Sequence, residues 1–215
     1  MTRFWGDFTE DKTASRLRIS LLGAPQITWH CEVVYIPRRQ TRALLYRLAA
    51  RQEAVSREHL CYLFWPDMPD ATARRCLTHL LTHVRLTLRL PQLIIATGDA
   101  VCLNPGYAWA DTVWLNQICC AQQTELDPEL CWRTLDLIRG PFLDGFSLPH
   151  CPEYELWIVQ EQQHWHCQIA RLLSRLTSSR TILGESMLSW QLEPSHCDLV
   201  ARAERFLAQA ALGRL

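Results

Sequence analysis

The segment between Pro69 and Pro91 constrains the fold of this chain more than any other feature. Proline interrupts helices, so the two prolines bound a single element of about twenty residues. Inside it, four apolar residues recur at spacings of four, three and four, which makes one stripe along a helix. The pattern predicts an amphipathic helix over residues 71–90, capped by Asp70, with its stripe buried. The stripe consists of Leu77, Leu81, Val84 and Leu88.

The other faces of this predicted helix carry hydrogen-bond donors and no acid after Asp70. Solvated helix faces usually mix both signs of charge, so an acid-free face favours an anionic partner; the alternative is a basic face that is merely solvated. Arginine can bind guanine O6 and N7, threonine can contact bases or thymine methyls, and a helix fits the major groove of DNA. The candidate DNA contacts here are Arg74, Arg75, Thr78, His79, Thr82, His83, Arg85 and Arg89.

The segments around this helix predict a winged helix-turn-helix. Strand signals over 17–22, 27–29 and 32–36 form a β-meander, and 93–103 reads as a β-hairpin with a tight turn at 97–100. Between them lie a helix over 40–51 and a second helix that Ser56 opens as its N-cap.

In this fold the helix before the recognition helix crosses the DNA backbone. Arg57, near its start, would approach phosphate, where the helix dipole also favours anions. Arg38, Arg39 and Arg42 form a second candidate phosphate site at the entry to the first helix. The hairpin turn at Thr97 and Gly98 would be the wing tip, offering backbone amides but no arginine.

Two features of the predicted recognition helix have a second interpretation. His79 and His83 lie four residues apart and could bind a metal, but no Glu, Asp or Cys stands beside them at motif spacing, so we expect no metal site. Leu86 faces outward among polar residues, where it contacts a thymine methyl or packs on the wing. The sequence contains no phosphate loop or catalytic constellation, so we expect neither a cofactor nor enzymatic activity.

Charge is divided between the two halves of the chain, although the overall net charge is zero. Residues 16–92 hold twelve arginines and five acids, a net charge of +7, whereas 111–215 hold eight arginines and thirteen acids, a net of −5. This asymmetry predicts that the first half meets a polyanion and the second does not. The chain has neither a signal peptide nor a membrane span, so we expect it in the cytoplasm. Its ten cysteines, Cys76 and Cys102 among them, are expected to be reduced and mainly to fill the core.

Beyond residue 108 the pattern becomes helical. We therefore predict three regions: a loose tail over 1–15, a winged-helix domain over 16–108, and an all-helical domain over 109–215. Residues 139–149 are predicted to be a structured loop, and Trp157, Trp165 and Trp190 to be core residues. The predicted helices of this half cover 112–123, 128–138, 153–177, 181–191 and 197–211.

Several motifs resemble one family of bacterial regulators. The stretches LRISLLG (17–23), RALLYRLA (42–49), VSREHL (55–60), LFWPD (63–67) and ARRCL (73–77) resemble the OmpR-type winged helix of SARP-type transcriptional activators. The stretches IRGPFLDGF (138–146) and EYELW (153–157) are similar to the opening of the bacterial transcriptional activator domain that follows it in that family.

The resemblance implies a mainly helical protein with small sheets, in which residues 71–90 are the recognition helix and 93–103 the wing. It also implies a tetratricopeptide-like second domain, which here is truncated or the front part of a longer regulator. Where the family commonly has an Arg pair late in the recognition helix, this sequence has Arg85 and Leu86. The expected partners are double-stranded DNA, RNA polymerase and a second copy of the chain, with no membrane. The alternative is a protein-interaction module whose winged helix no longer binds DNA.

Overall fold

The structure is a computed structural model that describes residues 16–120 and 128–182, together with positions 201, 204, 205 and 208. The predicted tail over 1–15 and Trp190 lie outside the described residues. So do the predicted helices 181–191 and 197–211, apart from residues 181 and 182 and those four isolated positions.

The chain begins with the predicted β-meander. Its strands pair antiparallel, with Arg18 opposite Thr28 and Thr28 opposite Val33. The third strand is shorter than the predicted 32–36, because the chain leaves the sheet after Val33 and turns Ile36 into the core. The three strands are β1 (Leu17–Ser20), β2 (Gln26–Trp29) and β3 (Glu32–Val33).

Three helices follow, as the sequence predicted. Ser56 caps the second helix, since its Oγ accepts a hydrogen bond from the backbone N–H of His59 at 3.1 Å. Asp70 does not cap the third helix: it is the first helical residue, and Pro69 stands at the cap position without a side-chain bond. The helices are α1 (Arg39–Ala49), α2 (Arg57–Phe64) and α3 (Asp70–Leu88).

The predicted hairpin is present and gains a third strand that the sequence did not reveal. Ile94 pairs with Leu103 and Thr97 with Ala100, so the turn lies where the sequence placed it. The added strand precedes α2 and pairs antiparallel with the hairpin, Val55 opposite Val101. These strands are β4 (Val55–Ser56), β5 (Ile94–Thr97) and β6 (Ala100–Leu103). A short 3₁₀ turn at Pro91–Leu93 leads into β5.

A further strand, β7 (Ala108–Ala110), lies at the predicted boundary between the two halves. It pairs in parallel with β1, Leu17 opposite Ala108, and completes a four-stranded sheet in the order β3-β2-β1-β7. The two halves of the chain therefore share a sheet at the point where the sequence suggested a separation.

The side chain of Asp111 stabilises this junction between the two halves. Its carboxylate, 1% exposed, accepts hydrogen bonds from the backbone N–H groups of Leu21, Leu22 and Thr112 at 2.8–2.9 Å. Burial raises the pKa of Asp111 to about 6, against the opposing pull of the three N–H donors and of the charge of Arg139. A carboxylate that occupies three backbone donors joins the end of β1 to the start of the next helix.

The regular elements that follow β7 in the described residues are helices. The sequence predicted separate helices over 153–177 and 181–191, but one helix runs without a break to Ile182, because nothing between them is a proline or glycine. None of the helices in residues 16–120 and 128–182 is long and apolar enough to cross a bilayer. The helices are α4 (Asp111–Cys120), α5 (Pro128–Asp136) and α6 (Pro152–Ile182).

The loop over 139–149 is structured, and it joins the helices to the first sheet. Leu22 forms a β-bridge with Phe142, and the N–H of Leu143 donates to the carbonyl of Leu21 at 2.9 Å. Phe142 is 1% exposed and stacks 6.3 Å from the ring of Trp165. The loop therefore contributes to the core that the two halves share.

Helix α6 packs on the first half of the chain through Tyr154 and Glu161. The buried Tyr154 hydroxyl donates a hydrogen bond to the carbonyl of Ala43 at 2.9 Å. Glu161 forms an ion pair with Arg51, with a nitrogen–oxygen distance of 3.1 Å. The predicted core positions of Trp157 and Trp165 are confirmed, with exposures of 6% and 1%.

The prediction that cysteines mainly fill the core holds for three of the nine described ones. Cys76 and Cys102, named for the core, are only half-buried. Cys76 precedes the buried Leu77 on α3, and Cys102 alternates with the buried Val101 and Leu103 on β6. Buried are Cys61, Cys131 and Cys151, whereas Cys31, Cys120 and Cys167 are exposed.

Candidate nucleic-acid interface

Helix α3 buries the predicted stripe and turns the opposite side outward. Leu77, Leu81 and Val84 are at most 2% exposed, and Leu88 is half-buried at the last turn. Residues advance 100° along a helix, so positions separated by seven and then four residues fall on one line. Arg75, Thr82 and Leu86 form such a line, directly opposite the buried stripe.

We call the surface around this line the outer face; it consists of Arg75, Thr78, His79, Thr82 and Leu86, all exposed. No carboxylate belongs to it. The acidic residue of α3 is Asp70, which is the first residue of the helix and lies outside this face. The outer face is thus cationic and polar at its start and apolar at Leu86, which is 72% exposed.

The threonines of the outer face use their hydroxyl protons internally. The Thr78 hydroxyl donates to the carbonyl of Arg74, and the Thr82 hydroxyl donates to the carbonyl of Thr78, each at 2.9 Å. Side chains that bond back to the preceding turn in this way present their methyl group and oxygen lone pairs to the outside.

Two arginines of α3 face the wing. Arg85 is half-buried and donates to the carbonyl of Ile94 at 3.2 Å, so its guanidinium holds the start of β5. Arg74 lies 3.5 Å from the carboxylate of Asp99 in the hairpin turn, with about half of each side chain exposed. The sequence placed both arginines on the outer surface; the structure places them along its border with the wing.

Asp99 is the residue at this border that the sequence analysis did not single out. Besides its contact with Arg74, its backbone carbonyl accepts the N–H of Arg57 at 2.7 Å. It thereby joins the wing tip to the first turns of α2 and α3. Its position in a predicted tight turn beside an arginine-rich helix was the available signal.

His83 lies on the other border, against α1. Its Nδ1 is within 3.1 Å of the Thr41 hydroxyl and 3.2 Å of the Thr87 hydroxyl, and its ring is half-buried. The sequence counted His83 with the outward donors, but these bonds turn it towards the interior. Among the described residues no group of three His, Cys, Asp or Glu could hold a metal ion.

The arginines at the entry to α1 lie apart from one another. Arg38 is exposed and donates to the Gln40 side chain at 3.1 Å, while Arg42 is half-buried and donates to the carbonyl of Ile36 at 2.8 Å. The Arg39 guanidinium lies 5.6 Å above the ring of Phe146, in the loop of the helical half. Arg38 and Arg39 are thus exposed, whereas Arg42 is turned towards the backbone of its own half.

The remaining predicted contacts lie at the ends of their elements. Arg89 is exposed and stands in the left-handed conformation (φ 53°) that ends α3. Thr97 and Gly98 are exposed at the wing turn, where Gly98 has φ 58° and open space around the position of a Cβ.

The chain has a limited likeness to solved structures. Mycobacterium tuberculosis EmbR, solved in complex with a low-affinity phosphopeptide, is similar to it with a TM-score of 0.46 and 19% sequence identity. The match covers 92% of this chain and 57% of the EmbR chain, so this chain spans little more than half of that protein's length. No family model matches the sequence, and no curated protein matches it.

Proposed function

We propose that the chain is a sequence-specific DNA-binding transcription regulator of the winged-helix type, an activator, with α3 as its recognition helix. The observation that carries the proposal is the outer face: five exposed residues of a long helix, opposite its buried stripe, with donors and no carboxylate. The order of meander, three helices and hairpin supplies the frame that such a helix needs.

Arg75 stands at the start of the outer face, and its side chain has no hydrogen bond or ion pair to the described residues. A free guanidinium on a helix of this width suits bidentate contact with guanine O6 and N7 in the major groove. Arg74 and Arg85, bound to the wing, instead fix the hairpin beside the helix. Base reading is therefore assigned to Arg75 with its neighbours, and wing positioning to Arg74 and Arg85.

Phosphate contacts are assigned to the borders of the outer face. Arg57 stands in the first turn of α2, where the helix dipole favours an anion, and Arg38 and Arg89 are exposed at the start of α1 and at the end of α3. Contacts of this kind carry affinity rather than sequence preference. The net charge of +7 over 16–92 attracts a polyanion in the same way.

The helical half is assigned to self-association and to contact with the transcription machinery, including RNA polymerase. Its charge of −5 over 111–215 keeps it off DNA. Leu156 and Val159, three residues apart on α6, are 54% and 59% exposed, an apolar pair available to a protein partner. A homodimer would read half-sites about one helical turn apart.

The experiment begins with selection of bound sequences from a random DNA pool, followed by fluorescence anisotropy on the selected site at several salt concentrations. Specific binding should weaken with salt, by about 0.9 in log–log slope for each phosphate contacted. Arg75→Ala should reduce specific affinity by about 1–3 kcal/mol. Arg171→Ala is the matched control, because it removes the same charge from an exposed position on the helical half.

Two results would refute the proposal. One is a selection that enriches no sequence; the other is equal loss of affinity in the Arg75 and Arg171 variants. Retention of a protein partner without any DNA binding would favour the alternative, a protein-interaction module that uses the exposed pair on α6.

A further inference from the structure

Resting on the proposed function, we infer that the outer face reads DNA chiefly through thymine methyl groups, with Thr82 and Leu86 as the residues that determine specificity. The half-site would then hold consecutive thymines beside the base pair that Arg75 contacts.

The first step is the exposure of Leu86. A leucine that packed on the wing would be largely covered, but Leu86 is 72% exposed, and the hairpin is held instead by Arg85 at the neighbouring position. Complete burial of a leucine side chain stabilises by about 1.5–3 kcal/mol, so an exposed leucine forgoes most of that gain. Its place on the line with Arg75 and Thr82 makes DNA the partner that would cover it.

The second step is the state of the threonine hydroxyls. Because Thr78 and Thr82 donate their protons to carbonyls one turn earlier, neither can donate to a base without losing an existing bond. What they offer outward is a methyl group and the acceptor lone pairs of the oxygen, and of the two only the methyl can contact an apolar group of a base. The 5-methyl of thymine is the apolar group in the major groove, and threonine methyls and aliphatic side chains are its usual contacts.

The third step is continuity. Thr78, Thr82 and Leu86 follow one another at intervals of four residues, so their side chains are neighbours along one side of the helix. From Thr78 to Leu86 this apolar strip rises about 12 Å, enough to follow three or four base pairs. Its start lies beside Arg75, which places an arginine contact next to the methyl contacts.

The test removes the thymine methyl and nothing else. In the selected site, each thymine is replaced in turn by deoxyuridine, and affinity is measured with the full chain by fluorescence anisotropy. At one or more thymine positions we expect about fourfold weaker binding. This factor corresponds to about 0.8 kcal/mol, the free energy gained by burying one methyl group. In Leu86→Ala the penalty for deoxyuridine should vanish at one of those positions.

A pair of variants at Thr82 separates methyl from hydroxyl. Thr82→Ser keeps the hydroxyl and its bond to Thr78 but loses the methyl, so it should bind more weakly and ignore deoxyuridine at its position. Thr82→Val keeps the methyl and should bind nearly as well as the natural chain. Both substituted residues, Thr82 and Leu86, are exposed, and circular dichroism of each of the three variants checks that it is folded.

The outcomes are distinct. Failure to select any DNA sequence overturns the proposed function, and this inference with it. Specific binding that is indifferent to deoxyuridine at every thymine, or a selected site without thymine, overturns the inference alone. The inference is also overturned if Thr82→Ser binds DNA normally and Thr82→Val does not.

Discussion

Replacing Asp111 by asparagine should destabilise the chain by an amount that grows as the pH falls. Asparagine has one oxygen where aspartate has two, so it can satisfy Leu21 together with either Leu22 or Thr112, but not all three amides. One buried N–H is left without an acceptor, at a cost of about 1–3 kcal/mol. That is the expected loss at pH 8, where the Asp111 carboxylate of the natural chain is ionised.

The pH dependence follows from the raised pKa. The folded chain holds a proton on Asp111 up to about pH 6, whereas the reference value for the unfolded chain is 3.8, so folding takes up a proton between these two pH values. The stabilisation, about 3 kcal/mol in full, is complete below pH 3.8 and lost as the pH rises through 6. Between pH 8 and pH 5 the natural chain therefore gains about 1.4 kcal/mol that Asp111→Asn does not.

The assay is urea unfolding followed by tryptophan fluorescence, at half-unit steps from pH 5 to pH 8. Other titrating groups, the histidines among them, are common to both proteins and cancel in the difference between their free energies of unfolding. Asp144→Asn serves as the control, because Asp144 is an exposed carboxylate in the loop that contacts the same sheet. A difference that stays constant with pH, or widens towards pH 8, would refute the role assigned to burial.

Two further predictions concern the junction between the halves. Gly23→Ala should cost at least about 1–3 kcal/mol in thermal unfolding, because Gly23 has φ +122° and an added Cβ would lie 2.9 Å from the Cβ of Arg139. Gly106→Ala, where φ is not positive and the added Cβ would meet only the Asn104 side chain at 3.2 Å, should cost less, and equal melting points would contradict this. Tyr154→Phe should cost about 1 kcal/mol in urea unfolding, because the carbonyl of Ala43 loses its buried hydroxyl donor, and an unchanged midpoint would contradict that.

The sequence predicted those parts of the fold that depend on local pattern. The stripe of α3, the Ser56 cap and the hairpin turn at 97–100 each follow from spacing or from a single residue's backbone preference, and each is present. Strand β7 was missed because three residues, two of them alanine, give no periodicity. Its identity depends on a partner strand about ninety residues away.

For the candidate site, too, the sequence predicted the local pattern but not the contacts between elements. The sequence identified α3 as the donor-rich helix, but it could not say which donors are already engaged within the protein. Arg85 and His83 have the same residue types as their exposed neighbours, and only the positions of Ile94 and Thr41 show that they bind inward. Arg75 and Leu86 differ in that they are exposed, with no element of residues 16–120 and 128–182 over them.

The parallel pairing of β7 with β1 has a practical consequence for anyone who wishes to excise the first half of the chain. A fragment that stops at residue 107, just before the predicted boundary, would leave one side of β1 without its neighbour strand and the amides of Leu21 and Leu22 without their acceptor. A bare strand edge of this kind invites other chains to pair with it, and aggregation follows. The shortest fragment that keeps both the four-stranded sheet and the acceptor of these two amides extends through Asp111.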